Sequence, residues 1–326
     1  MGDGPALIAA IEAIIQRDVG RNIAPLFAAA RGGLRSAVAA LAELGGAVGN
    51  GDRVAGGTVG AGTVGGLAVG GGTVGLITGF YVPGGTPPAA ETDGPVAVAL
   101  LAHALRRIGI SCRVCTDAPC ASACRAALSG VADVPVDVVP LGGSVDHVIA
   151  TWRARDVRLA LAIERCGRTT DGTARNMRGD DIGAYTILLD DLFLAGPWDT
   201  IAIGDGGNEI GMGALPRSLI GAHVAHGEAI ACVTPATHLI LSGVSHWGAY
   251  ALLGGLAVTR PAWREALLAC LDPELDRTIL ETTVRDGPAV DGVTRQRTVT
   301  IDSLDCATHH LVLESIRTLV REGEVP

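Results

Sequence analysis

Aromatic side chains make up only 3% of this 326-residue chain, so its interior has to be built from Ala, Val, Leu and Ile. Positive charge is also short. A formal net charge of −9 excludes the basic stripe with which a nucleic-acid binder neutralises phosphates, and acidity of that size is ordinary for a solvated protein. The opening residues, Met1-Gly2-Asp3-Gly4-Pro5, lack a basic stretch followed by an apolar one, so no secretory signal is expected, and Ala6 stands where myristoylation calls for Ser or Thr. Without such a signal the eight cysteines point to reduced thiols in a cytoplasmic setting. Four of them crowd together: Cys112, Cys115, Cys120 and Cys124. A strand over 110–116 would send the first two to opposite faces, and the gap between the pairs is too short for a zinc module. They are expected to be small buried hydrophobes. No charge occurs between Arg53 and Glu91, but glycine and threonine give that run too little transfer energy for a membrane span.

Glycine is abundant. The stretch 45–73 repeats Gly-Thr-Val-Gly and contains Gly60-Ala61-Gly62-Thr63-Val64-Gly65, a formal dinucleotide-binding string. It precedes a strand and opens no helix, so no nucleotide is expected there. The stretch reads as a flexible surface insertion in a single domain spanning 1–326.

Elsewhere the pattern alternates. Helices are expected over 6–16 and 23–44 (broken near Gly32-Gly33), then a buried strand over 74–82. A helix starting at Thr92 or Asp93 as N-cap should run to Ile108, with Pro95 in its first turn and Arg106 and Arg107 at its negative end. Its positive end suits a carboxylate ligand. Strands follow at 110–116, 136–139, 157–163, 200–203, 229–233 and 238–242, with helices at 121–128, 144–155, 215–225 and 245–257 between them. Such alternation predicts an α/β fold: a mostly parallel, Rossmann-like sheet with helices on both faces. The C-terminal embellishment should comprise helical turns over 261–283, a hairpin over 290–301 and a helix over 306–321.

Two stretches carry chemistry. Thr200-Ile201-Ala202-Ile203 empties into Gly204-Asp205-Gly206-Gly207-Asn208-Glu209-Ile210-Gly211-Met212-Gly213. Five glycines let the backbone approach a ligand, and Asp205, Asn208 and Glu209 sit at a strand's carboxyl end, where open α/β sheets bind ligands. The loop after the 157–163 strand, Glu164 to Ile182, holds four arginines among turn glycines, and guanidinium groups grip carboxylates bidentately. An anionic small substrate fits it.

The spacing Glu164-Arg165-x-Gly-x-x-x-Asp171-Gly-x-x-x-Asn176-Met177-Arg178-Gly179-x-Asp181-Ile182, together with Gly204-Asp-Gly-Gly-Asn-Glu-Ile-Gly-Met-Gly213, resembles the D-glutamate cyclase family. So do Thr78-Gly79-Phe80, Glu91-Thr92-Asp93-Gly94-Pro95, Arg17-Asp18-x-Gly20-Arg21 and Gly243-Val244-Ser245-x-Trp247-Gly248-Ala249-Tyr250. The chain departs from the pattern at Cys166, where Pro is expected, and at His246, where Asn is expected.

The resemblance implies conversion of D-glutamate to 5-oxo-D-proline with loss of water; the expected partner is a small amino dicarboxylate, with neither nucleic acid nor membrane, and the sequence leaves a homo-oligomer open. Lactam closure needs a base for the amine and an acid for the departing hydroxide, roles two neighbouring carboxylates share when their pKa values are driven apart. Asp205 and Glu209 are expected to take them, with Glu164 as a third. The amides of Gly206 and Gly207, with Asn208, would stabilise the oxyanion. Arg165 and Arg178 would hold the α-carboxylate, Asp171 and Asn176 would orient the amine, and Thr92 and Asp93 would line the site. A competing reading makes Glu164, Asp171, Asp205, Asn208 and Glu209 a hard-oxygen site for Mg²⁺ or Mn²⁺, in an enzyme acting on a different small carboxylate. Another is a non-catalytic amino-acid or anion sensor on the same fold.

Overall fold

The computed structural model describes residues 4–46 and 72–323. The sheet comprises β1 (Thr73–Ile77), β2 (Cys112–Asp117), β3 (Val136–Val139), β4 (Val157–Ile163), β5 (Asp199–Gly204) and β6 (His238–Leu241). They lie in the order β3-β2-β1-β4-β5-β6, and every neighbouring pair is parallel. This is the doubly wound Rossmann order. The chain reverses direction across the sheet between β1 and β4, which leaves a crevice at the strands' carboxyl ends. The glycine-rich insertion and its dinucleotide-like string fall, over 47–71, outside the described residues.

Parallel strands are buried on both faces, so their sequences read as apolar runs. Val74, Leu76, Val114, Leu161 and Ile203 point into one core, and Cys115, Ala160, Ala162, Ala202 and Leu241 into the other. The first core is covered by α1 (Gly4–Ile15), α2 (Gly33–Gly46), α3 (Asp93–Arg107) and α4 (Ala121–Leu128). The second is covered by α5 (Asp146–Ala154), whose Trp152 packs over Gly75, and by the helical turns Asp190–Leu194 and Arg217–His223. Helix α6 (Ser245–Thr259) is apolar on every side and buried along nearly all its length. Such a helix belongs in a core, and it is wrapped by α1, α2, α3 and α8 (Cys306–Glu322). Between α6 and α8 runs α7 (Pro273–Asp286), capped by the Asp272 side chain accepting from the Leu275 amide.

Cys112 and Cys115 lie in opposite cores, as strand alternation requires. Burial pushes the Cys112 and Cys124 thiols up to about 12, so they remain protonated. No helix among the described residues is long and apolar enough to cross a membrane.

Three expected elements differ. The strand over 74–82 ends at Ile77. Gly79 (φ +109) turns the chain, and Tyr81–Val82 pairs antiparallel with Ala89–Ala90 instead. The apolar run 229–233 is no strand. Gly227–Ile230 is a helical turn, and Cys232 and Val233 donate their amides to Gly207 and Arg168 carbonyls, so loops bury Cys232 and leave Val233 exposed. The hairpin is Thr300–Ile301 against Leu304–Asp305. Its two-residue turn has φ +53 at Asp302 and +64 at Ser303, the sign pair of a type I′ turn.

Candidate functional site

The two loops singled out in the sequence are zipped together at the carboxyl ends of β4 and β5. The Gly167 amide donates to the Asn208 carbonyl (2.9 Å), and the Ile210 amide to the Arg165 carbonyl (2.8 Å). Beside them, over the β1–β4 reversal, opens a cavity of about 470 Å³, within the size range of small-molecule sites. Its wall includes Tyr81 and Tyr185, stacked at 5.4 Å.

Five carboxyl groups gather at the inner end. Glu91, Glu164, Asp205 and Asp302 line the cavity, and Asp93 completes the group: carboxylate oxygens of Asp93, Glu164 and Asp205 all lie within 4.8 Å of one another. Each has its own support. Asp205 follows β5, and its Oδ2 accepts the Ser245 amide at the start of α6 (2.7 Å), where the helix's positive end favours an anion. Asp93 opens α3 with neither carboxylate oxygen hydrogen-bonded. Glu164 follows β4 at φ +45, a left-handed conformation that costs a non-glycine residue free energy and recurs at functional sites. Glu91 and Asp302 arrive from the short ribbon and the type I′ turn.

One cation faces these acids. Asp18 Oδ1 accepts the Gly20 and Arg21 amides, each at 2.9 Å, and this tight turn aims Arg21 inward. Its guanidinium lies 3.2 Å from Asp205 Oδ2 and 2.6 Å from Asp302 Oδ1. Burial pushes Glu91, Asp93, Glu164 and Asp205 well above the usual carboxylate range, and the neighbouring acids push them further. For Asp205 and Asp93 Arg21 is the largest opposing influence. Burial works against the charge on Arg21, but Asp205 and Asp302 outweigh it and raise its pKa. Carboxyl groups packed so closely share protons and titrate as a set.

Of the residues expected in the site, Asp205, Glu164, Asn176 and Arg178 line the cavity and Asp93 joins them. Several others hold the scaffold. Glu209 Oε1 accepts the amides of Asp205 (2.9 Å) and Gly206 (2.6 Å), and its Oε2 accepts that of Gly207 (2.7 Å). The expected acid is therefore a strut inside the turn, and the expected oxyanion donors are already spent on it. Asn208 Nδ2 donates to the Arg175 carbonyl at 2.8 Å. Arg165 is wholly buried away from the cavity. It pairs with Asp117 at 2.7 Å and donates to the Gly79 carbonyl at 2.7 Å and to that of Ile187. It locks the loop after β1 to the loop after β4 and does not line the cavity. Asp171 is exposed and spends its oxygens on Thr169, Thr173 and Arg175. Asp171, Asn208 and Glu209 therefore drop out of the proposed ligand set. Thr92 does not cap α3 with its side chain; its hydroxyl donates to the Thr300 carbonyl at 2.9 Å.

Sequence reasoning missed Arg21, Glu91 and Asp302. The first two sit inside motifs noted for the family pattern; only Asp302 lacked any such mark. The two departures lie behind the cavity wall. His246 Nε2 meets Asp276 at 2.7 Å, and Cys166 packs with Phe80, Ala174 and Ile182. His309 braces the same region: its Nδ1 accepts the Trp247 indole N–H at 2.8 Å while its Nε2 faces the Ile301 carbonyl. Burial lowers its pKa to about 4, so it stays neutral.

A doubly wound sheet with an acid-floored cavity at its switch point defines an α/β protein with a pocket of small-molecule size. The chain belongs to the D-glutamate cyclase-like, C-terminal family, which it matches over residues 11–317, a span that includes every cavity residue named above. Over 102 residues it is 41% identical to D-glutamate cyclase, mitochondrial, of Homo sapiens, a stretch covering 30% of this chain and 16% of that relative.

Proposed function

We propose that the cavity closes D-glutamate into 5-oxo-D-proline, with release of water. The observation that carries this reading is the trio Asp93, Glu164 and Asp205, whose oxygens lie within 4.8 Å of one another and whose pKa values burial raises. In the reaction the substrate ammonium gives up two protons in all, and its nitrogen bonds to the γ-carboxyl carbon. A C–O bond of that carboxyl breaks, and the oxygen leaves as water once protonated. A set of acids that shares protons supplies both roles: ionised members take the two protons lost from nitrogen, and protonated members deliver the two that the departing oxygen needs. Holding both ends of the substrate in one cavity lowers the barrier further, by as much as about 7–11 kcal/mol in favourable intramolecular cases. The chain contains no lysine, so no lysine is present to form a Schiff base with a substrate carbonyl.

The same trio favours a second component. Its donors are all carboxylate oxygens, the set a hard divalent cation such as Mg²⁺ or Mn²⁺ prefers, and both Asp93 oxygens and Glu164 Oε2 are buried without hydrogen-bond partners. Asp93, Glu164 and Asp205 would hold the ion, which would polarise a bound carboxyl oxygen. Incubating the protein with D- and L-glutamate, with and without chelator, tests both readings. We expect 5-oxoproline from the D-isomer, lost in chelator and restored by Mg²⁺ or Mn²⁺. No product from either isomer under any metal condition overturns the cyclase reading, and chelator-resistant turnover overturns the metal.

A further inference from the structure

The cavity has two unlike ends. Its inner end is the acid cluster, buried and countered by Arg21 alone among the cations named above. Its outer part carries Arg178, exposed, and Arg295, half-buried, both among the lining residues. Arg178 makes one long contact, from Nη2 to the Val293 carbonyl at 3.4 Å. Arg295 stands at φ +62 with its guanidinium against Gly84. Among the described residues neither arginine forms an ion pair. The acids nearest in sequence are engaged otherwise: Asp180 Oδ2 accepts the Asn176 amide group at 3.0 Å, and Asp181 Oδ1 accepts the Gly183 amide at 2.8 Å. The arginines feel each other, since burial and the charge on Arg295 lower the Arg178 pKa. Asp180 and Asp181 line the same cavity, and the Asp180 charge acts on Arg178 without pairing with it. Two guanidinium groups that no carboxylate grips are a binding device for one, because their planar forks match carboxylate geometry.

We propose that Arg178 and Arg295 form the subsite for the substrate's spectator α-carboxylate, so that the amine and the γ-carboxyl face Glu164 and Asp205. This rests on the amino-dicarboxylate reading above and deepens it. Arg295 takes the place that the sequence pattern gave to Arg165. The polarity also sets the ligand's direction: the carboxylate that stays charged lies with fixed cations, and the reacting amine and γ-carboxyl lie at the end lined by Glu164 and Asp205.

Calorimetric titration of wild type, Arg178→Gln and Arg295→Gln with three ligands tests the assignment. D-glutamate has both carboxylates, D-glutamine keeps only the α-carboxylate, and D-isoglutamine keeps only the γ-carboxylate. Each variant should bind D-glutamate and D-glutamine about tenfold more weakly or worse, while D-isoglutamine affinity shifts by less than about twofold. Arg295→Lys should recover part of the loss, since charge returns without the fork. Equal losses for all three ligands, losses confined to D-isoglutamine, unchanged affinities, or no binding of any ligand by the wild type each overturn the assignment. These are binding measurements, so absent 5-oxoproline sinks the cyclase reading while the arginine subsite is judged on affinity alone.

Discussion

Two groups of buried charge sit side by side at the carboxyl end of this sheet and are treated in opposite ways. Glu209 is saturated and Arg165 nearly so: three amides close on the carboxylate, and a carboxylate and two carbonyls on the guanidinium, whose Nε alone lacks a partner. Asp93 and Glu164 are left hungry, with buried oxygens that meet no donor. A saturated charge is held in one state and one place, which suits a strut. An unsaturated one pays in stability for being ready to take a proton, a cation or a substrate. Position in the motif does not separate the two groups, since Glu164 and Arg165 are consecutive.

The sharpest way to break this contrast is Arg165→Met. Removing one partner of a buried pair strands Asp117, and we expect a loss of about 3–5 kcal/mol in urea unfolding. A variant of native stability with weakened ligand binding would return Arg165 to the ligand. Next in size, Glu164→Gln and Asp205→Asn should each lower kcat by about 10²-fold or more. Glu164→Gln should at the same time raise the thermal midpoint at pH 8, and a midpoint that falls would count Glu164 with the struts. The third effect is on pH. Glu91, Asp93, Glu164 and Asp205 have folded pKa values above their unfolded ones, so the folded state holds more protons once pH passes the ordinary carboxylate range. Stability therefore falls as pH rises through that window. Asp276 works the other way: although burial opposes it, the His246 charge and hydrogen bond hold its pKa below the usual range, and its contribution is lost in acid. A stability maximum in mild acid is expected, with the alkaline decline flattened in Glu164→Gln. A wild-type curve flat from pH 5 to 9 contradicts this. Smallest of all, Asp171→Asn should leave kcat and KM within about twofold of wild type, as surface changes usually do.

Much of the fold was legible because burial writes itself into sequence as periodicity. The strands at Val136–Val139 and Val157–Ile163 and the helix at Ala121–Leu128 fall where the pattern put them. The run 229–233 misled because an apolar segment looks alike whether sheet or loops bury it. The hairpin was misplaced because Asp302-Ser303 is a less familiar turn pair than Asn-Gly. In the site, Glu164 and Asp205 were visible from their places after strands. The saturation of Glu209 was not, because it depends on which way three amides point. Arg21, Glu91 and Asp302 come from separate segments that meet only in the folded chain.

The ion pairs from Arg21 to Asp205 and Asp302 have a consequence for the order of assembly. Nearly all the described chain lies between positions 21 and 302, so this closure is among the most non-local in the molecule, and such contacts form late because the entropy of joining distant segments must be met first. On a ribosome the acids of β4 and β5 emerge well before Asp302 and its hairpin. A growing chain would therefore carry a sheet before it carries a finished cavity, and catalytic competence would arrive as one of the last events of folding.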